Sequence, residues 1–178
     1  MNSGNRKNTA SIFYTNITKA WFDNSTPNSH RVEDRQYFEK NNIKYQFDGR
    51  NVVLDYSIKE KEVAEWLEKT FGGELYMLPR VNNPEGISTA DYLFRNEYCD
   101  LKEINGIGRN TLFHAIEDHE KQAHNFIFDI SKTKLTNNGI TERLNKLYSL
   151  NKVRWLDKII IIKENKLIKI VKRSDPSD

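Results

Sequence analysis

The chain has 178 residues, a formal net charge of +3, 37% hydrophobic and 30% charged residues, which suits one ordinary domain with a real core and is too little for two large ones. No apolar run approaches the ~18 residues that span a bilayer, the single Cys99 excludes an internal disulfide framework and a cysteine zinc site, and the opening MNSGNRKNTASIFYT lacks the apolar stretch of a secretory signal. The mild charge does not by itself announce a nucleic-acid binder, although acidic residues gather at 59–68 and 91–103 and basic ones in the closing KIIIIKENKLIKIVKR.

Residues 1–35, rich in Asn, Ser and Thr with scattered aromatics, hold neither a period of 2 nor of 3.6 and are expected to be an irregular arm or linker end. RQYFEKNNIKYQF suggests a short helix closed by Asn41-Asn42, and YQFDGRNVVLDY two strands around the turn signal Asp48-Gly49. SIKEKEVAEWLEKTFGG reads as a helix capped by Ser57, with Glu60 at the capping-box position and Gly72-Gly73 as its stop; Val63, Ala64, Trp66, Leu67 and Phe71 form its stripe. ELYMLPRV is a strand, NNPEG a loop, and TADYLFRNEYCDLKEI a hairpin. After the glycine-containing INGIGRN, TLFHAIEDHEKQAH reads as a helix with Leu112, Phe113 and Ile116 on its stripe, and NFIFDIS as a strand of the sheet centre. GITERLNKLYSLN places Ile140, Leu144 and Leu147 at helical spacing, and KIIIIKENKLIKIVKR closes the chain as a hairpin turning at Glu164-Asn165. Strands interleaved with helices define an α/β domain over 36–174, with 175–178 as a tail.

The hairpin TADYLFRNEYCDLKEI carries charges where a packed strand pair wants apolar residues. Asp100 and Lys102 share one face of a strand, roughly 7 Å apart. With a two-residue loop at Arg95-Asn96, Asp91 stands opposite Asp100, with Cβ atoms roughly 5 Å apart. Two facing carboxylates repel, so something positive is expected between them, and a divalent cation supplies it. Lys102 beside them can stabilise charge on a phosphate or hold an attacking water. A solvated acidic face neutralised by Lys102 is the alternative, and a one-residue slip at Arg95-Asn96-Glu97 would turn Asp91 away. Upstream, Glu60 lies near the middle of the helix stripe and Glu62 at its margin near Trp66; either can reach over the sheet.

A helix glutamate, then Asp91, then Asp100-Leu101-Lys102 on the next strand resemble the PD-(D/E)XK nuclease superfamily, with Ala90-Asp91 in place of Pro-Asp. The order EKEVAEWL, LPRVNNPEGISTADYLF, CDLKEI, HEKQAHNFIFDIS and LDKIIIIKENKLIKI resembles, over roughly 48–172, the C-terminal tRNase domains of contact-dependent growth inhibition toxins and related domains of phage-head-morphogenesis-like proteins. The resemblance implies a central mixed sheet flanked by helices with a restriction-endonuclease-like core. It implies Asp91 and Asp100 as ligands of Mg2+ or Mn2+, Lys102 as the catalytic lysine, Glu60 or Glu62 as the helix carboxylate, and Gln122 as a polar residue approaching the site. It further implies cleavage of RNA, tRNA above all, in the cytoplasm of a target bacterial cell, and a cognate immunity protein.

Arg109, Lys121, Lys132 and Lys134 are candidate phosphate contacts, each also readable as a solvated surface charge. His114, His119 and His124 recur at a spacing of five, which spreads them around a helix, and His114 or His119 is a weaker candidate for the general acid of a metal-free RNase. GIGRN lacks the rest of any phosphate-loop pattern. Cys99, out of phase with Asp100, and Trp66 and Trp155 are expected in the core. Two rivals remain: a DNase with the same trio, and a non-catalytic nucleic-acid-binding or adaptor domain of a mobile element.

Overall fold

The computed structural model describes residues 13–174. In chain order its elements are β1 (Tyr14–Asn16), α1 (Thr18–Asp23), β2 (Val32–Asp34), β3 (Tyr37–Lys40), β4 (Ile43–Gln46), β5 (Val52–Val53), α2 (Ile58–Phe71), β6 (Leu75–Met77), β7 (Arg80–Val81), β8 (Tyr92–Phe94), β9 (Glu97–Glu103), α3 (Thr111–His114), β10 (Asn125–Asp129), α4 (Asn137–Ser149), a 3-10 turn (Asn151–Val153), β11 (Lys158–Lys163) and β12 (Lys166–Arg173). Eight strands form one mixed sheet in the order β1-β12-β11-β10-β9-β8-β6-β2. β9, β10 and β11 run parallel at its centre, while the β8–β9 and β11–β12 hairpins are antiparallel. β10 is buried at every residue, as the unbroken apolar run NFIFD requires of a strand covered on both faces.

Alternation sorts the side chains into two cores. Val63, Ala64, Leu67 and Phe71 of α2 bury one face with Tyr92, Phe94, Cys99, Ile127, Ile160 and Ile162. Ile140, Leu144 and Leu147 of α4 share the other core with Leu112, Ile116, Phe126, Phe128, Ile159 and Ile161. The α2 limits follow its caps: Ser57 accepts from the Glu60 amide, the Glu60 carboxylate returns the bond to the Ser57 amide, and Gly72 leaves the helix at φ 66°. A Cβ at Gly72 would stand 1.7 Å from the Thr26 carbonyl oxygen, so that position takes no side chain.

Five segments depart from the sequence reading. Within the expected arm, residues 14–34 supply both outer strands of the sheet: β1 pairs with β12 and β2 with β6. Strands of three residues are too short to display a period, and β1 is anchored by Tyr14, whose ring lies 5.3 Å from that of Tyr148. The short helix expected from Arg35 and closed by Asn41-Asn42 is instead β3, the first strand of the β3–β4 hairpin, with Asn41 and Asn42 at φ 53° and 62°. Asn tolerates the left-handed region, so the pair that reads as a helix stop makes a type I′ hairpin turn. β4 and β5 do not pair with each other; β5 joins β7, and the Asp48 carboxylate accepts from the amides of Arg50, Asn51 and Val52 in the turn between. Finally, the helix expected from 111 to 124 stops at His114 and continues as turns closed by Ile116 to Phe113, His119 to Ile116 and Gln122 to His119 bonds. ELYMLPRV is likewise two strands, β6 and β7, with Leu78-Pro79 between them.

Candidate active site

The turn between β8 and β9 holds Arg95 and Asn96 at φ 50° and 64°, the signature of a two-residue type I′ hairpin. Arg95 is held in this conformation from outside the turn, its guanidinium donating to the carbonyls of Phe71 and Gly72. The register that follows pairs Phe94 with Glu97, Leu93 with Tyr98 and Tyr92 with Cys99, so the next position along sets Asp91 opposite Asp100. Asp91 accepts from the Leu101 amide at 2.8 Å, and its own carbonyl accepts from Leu78. No slip occurs, and Cys99 lies in the α2-side core, its thiol pushed up to about 12 by burial.

Asp100 is 1% exposed. Neither of its carboxylate oxygens has a hydrogen-bond partner, although the Lys102 ammonium makes an ion pair with Oδ2 at 2.6 Å. Burial is the main cause that raises Asp91 to about 8, followed by the charge of Asp100, against the opposing Leu101 bond; Glu60 adds to the rise. A buried carboxylate held by the Lys102 ammonium, facing a carboxyl that resists ionisation, describes an acid pair that would still gain from further positive charge.

Glu60 comes to this pair from the first turn of α2. Its Oε1 meets Arg80 Nη2 at 3.0 Å, and the same nitrogen lies 3.8 Å from Asp91 Oδ1. Tyr92, on the neighbouring strand, donates its hydroxyl to the Glu60 carbonyl at 2.7 Å, which fixes that turn against the hairpin. Glu62, the other helix candidate, is exposed and does not enter the cluster. Among the described residues, no group of three or more His, Cys, Asp or Glu side chains surrounds a single metal position. The Asp91–Asp100 pair is what a hard cation would meet, with Glu60 behind Arg80.

On the other flank, Lys102 Nζ lies 3.4 Å from His119 Nδ1. His119 Nδ1 also meets Gln122 Oε1, and Gln122 donates through Nε2 to the Thr89 carbonyl at 2.7 Å. That last bond leaves Oε1 as the amide atom that faces the ring, an acceptor for His119 Nδ1 in the tautomer that carries its proton there, while in the other tautomer Nδ1 accepts from Lys102. Gln122 therefore reaches the cluster as expected, and it brings His119 with it because the 115–123 segment turns instead of continuing as a helix. His114 pairs with Glu117 on the surface and His124 is exposed, its ring 6.0 Å from Trp155.

Of the basic candidates, Lys121 adjoins Gln122 and lines a cavity beside it. Lys132 is exposed and paired with Glu103 at 2.5 Å, Lys134 is exposed, and Arg109 stands in a groove formed with α4. Arg80 is the site residue that sequence reasoning missed. A lone arginine in LPRV carries no signal; only the count of acids that need a counter-charge points to it.

Comparison with known proteins bears on the same segment. Residues 88–168, just under half of the chain, match the family model described as the contact-dependent growth inhibition CdiA C-terminal domain. That stretch holds Asp91, Asp100, Lys102, His119 and Gln122. No curated protein matches the chain. Among solved structures, one chain of a CdiA-CT/CdiI toxin and immunity complex from Burkholderia pseudomallei is similar, with a TM-score of 0.52 and 16% identity over 80% of this chain and 99% of that one. At that identity the likeness is one of fold, an eight-stranded mixed sheet with helices on both faces.

Proposed function

We propose that this chain is a toxin domain of a contact-dependent growth inhibition system and acts as a metal-dependent endonuclease of the PD-(D/E)XK kind, with RNA, and tRNA above all, as substrate. The observation that carries the reading is the Asp91–Asp100 pair, two carboxyls held face to face with Asp100 1% exposed and the Lys102 ammonium 2.6 Å from it. An ion pair that was only structural would need one acid for one lysine; here two largely buried acids face each other, and the charge of Asp100 helps to raise Asp91. The match of 88–168 to the CdiA C-terminal family supports the toxin reading, and the resemblance of the motif order supports the tRNA preference.

The donor set fits a Mg2+-like ion, which takes hard oxygen ligands, keeps several waters and commonly uses one or two carboxylates. Asp91 and Asp100 would hold it. When bound, such an ion polarises a phosphodiester and lowers the pKa of a bound water. The chain's own groups do the rest. Lys102 neutralises Asp100 and presents its ammonium where negative charge grows on the phosphate. Arg80 bridges Glu60 and Asp91, keeping the acids from repelling one another apart. Gln122, clamped by the Thr89 carbonyl, holds the His119 ring beside the Lys102 ammonium.

Action on nucleic acid in the cytoplasm of the target cell, and a neighbouring immunity protein that covers the site, belong to the same proposal; the solved relative is described as a toxin and immunity complex. Purified protein incubated with total tRNA and with plasmid DNA, each with Mg2+, Mn2+ or EDTA, tests it. Cutting of tRNA that needs the metal and disappears in Asp100→Ala is the expected result. Cutting of DNA alone moves the protein to the DNase class. No cutting of either substrate by folded protein, or cutting indifferent to EDTA and to Asp100→Ala, overturns the reading.

A further inference from the structure

A cavity of about 260 Å³ opens beside the catalytic row, between the β3–β4 hairpin, the start of β9 and the turn at 120–124. Tyr98 in its wall lies on the same face of β9 as Asp100, two residues along, so the two side chains stand about 7 Å apart along the strand. Phe38, 2% exposed, backs that wall from the core, its ring 5.7 Å from that of Tyr98. Gln122 belongs both to the cavity and to the His119–Lys102 cluster.

Two lysines stand at this cavity. Lys40 is positioned by donating to the carbonyls of Ser88 at 3.1 Å and Lys121 at 2.7 Å, and the exposed Lys121 follows from the turn. Burial, and then the charge of Lys121, hold Lys40 below the ordinary lysine range, so these cations are close enough to repel. Of the two acids at the cavity, Glu97 is occupied by Lys158, which leaves Glu120 against two lysines. An aromatic wall with adjoining ammonium groups, next to a phosphodiester-handling centre, has the chemistry of a nucleotide site: a base has a π-face for the wall and a phosphate neutralises the lysines.

We infer that this cavity is the subsite for the nucleotide adjoining the scissile phosphate, its base against Tyr98 and its phosphate against Lys40 and Lys121. The inference rests on the nuclease reading above for the word scissile, but the binding itself does not need a metal. The cavity therefore places a single unstacked nucleotide, and the substrate is engaged there as a single strand, such as an RNA loop or end.

The test measures binding of a short RNA of about five nucleotides by calorimetry in EDTA, where nothing is cut, to the wild type, Tyr98→Leu, Lys40→Gln and Lys121→Gln. Each variant's melting temperature is recorded, and cleavage of the same RNA with Mg2+ is followed in parallel. Tyr98→Leu and Lys121→Gln are each expected to weaken binding roughly tenfold, while Asp100→Asn, which loses cutting, keeps the wild-type affinity in EDTA. Lys121 is exposed, so Lys121→Gln remains folded and informative even where Tyr98→Leu does not. Equal binding by all the folded variants, with metal-dependent cutting intact, overturns the subsite and leaves the nuclease. Binding that drops in the variants without cutting in any arm upholds the nucleotide site and overturns the nuclease. A folded wild type that binds no RNA in EDTA overturns the subsite, and it overturns the nuclease as well only if cutting with Mg2+ is absent too.

Discussion

The β8–β9 and β11–β12 hairpins turn on the same chemistry and are used in opposite ways. Each has a two-residue loop with both φ angles positive, Arg95-Asn96 in one and Glu164-Asn165 in the other. Beyond the loops, one row of side chains crosses from hairpin to hairpin through β10: Asp100 beside Phe126, Phe126 beside Ile159, Ile159 beside Val171. At one end of the row the layer is apolar and buried. At the other, Asp91 and Asp100 occupy the same layer, Asp91 accepting from the Leu101 amide and Asp100 paired with the Lys102 ammonium. The β11–β12 hairpin also takes charges into its layers, Lys158 buried and Lys169 opposite Ile161, but wherever two of its lysines face each other one of them is exposed. The β8–β9 hairpin sets two acids face to face with neither exposed, and that departure from patterning points to chemistry there.

The contrast is sharpest between activity and stability. Replacing Asp100 by Asn is expected to lower cleavage by about three orders of magnitude or more with a much smaller change in the denaturation midpoint, because the amide relieves the facing of two acids and at the same time leaves Lys102 without its partner. Ile160→Ala, on β11, should do the reverse in kind, costing roughly 2–5 kcal/mol of stability, read from urea unfolding. An Asp100→Asn protein that cuts normally would break the comparison.

The two helix glutamates come next. Glu60→Gln disturbs the cap and the Arg80 bridge together and should lower cleavage by about tenfold to a hundredfold, with a small loss of stability from the capping box. Glu62→Gln, on the exposed face, should leave rate and stability alone. Equal effects of the two on cleavage would remove Glu60 from the site.

The acid pair also sets a pH dependence that the β11–β12 hairpin has no reason to share. Asp91 is raised to about 8, chiefly by burial, against an ordinary value of 3.8, so the native state holds a proton that the unfolded chain releases. The stability this contributes is full below pH ~4 and is lost as pH rises toward ~8. Without metal, the urea midpoint should therefore fall between pH 5 and pH 8, and Asp91→Asn should flatten the fall. Removing the charge of Lys158, which pairs Glu97 at the mouth of the hairpin, leaves that slope unchanged.

The smallest effect is expected at the turns. Glu164→Asn places a better left-handed residue in the β11–β12 loop and should add a few tenths of a kcal/mol, measured by thermal unfolding. Arg95→Asn should not gain in the same way, since it removes the two bonds to Phe71 and Gly72.

How far the sequence speaks follows the same division. The α2 boundaries were legible because capping box and terminal glycines are local signals. The two hairpins 92–103 and 158–173 and the buried β10 were legible from alternation and length, and the facing of Asp91 and Asp100 followed once a two-residue loop was assumed. The hairpin at 37–46 was not, because Asn-Asn serves equally as a helix stop and a left-handed turn. Neither were the outer strands β1 and β2, whose three residues exist by pairing with partners more than forty residues away. Within the site, Gln122 was named from the resemblance, but His119 was undervalued: the reading spaced it on a helix that the chain does not form, and the turns that replace it bring it to Lys102. Arg80 was invisible because its role arises only when three carboxylates meet.

One measurement goes to the centre of the account: calorimetric titration of Mn2+ into the wild type and into Asp100→Asn at pH 7, with unfolding curves of both. The account predicts binding of the ion with release of a proton from the Asp91–Asp100 pair, a rise in wild-type stability on binding, and loss of both in a folded Asp100→Asn. A wild type that takes up no divalent cation, or an Asp100→Asn protein that binds it as tightly, would contradict the metal centre.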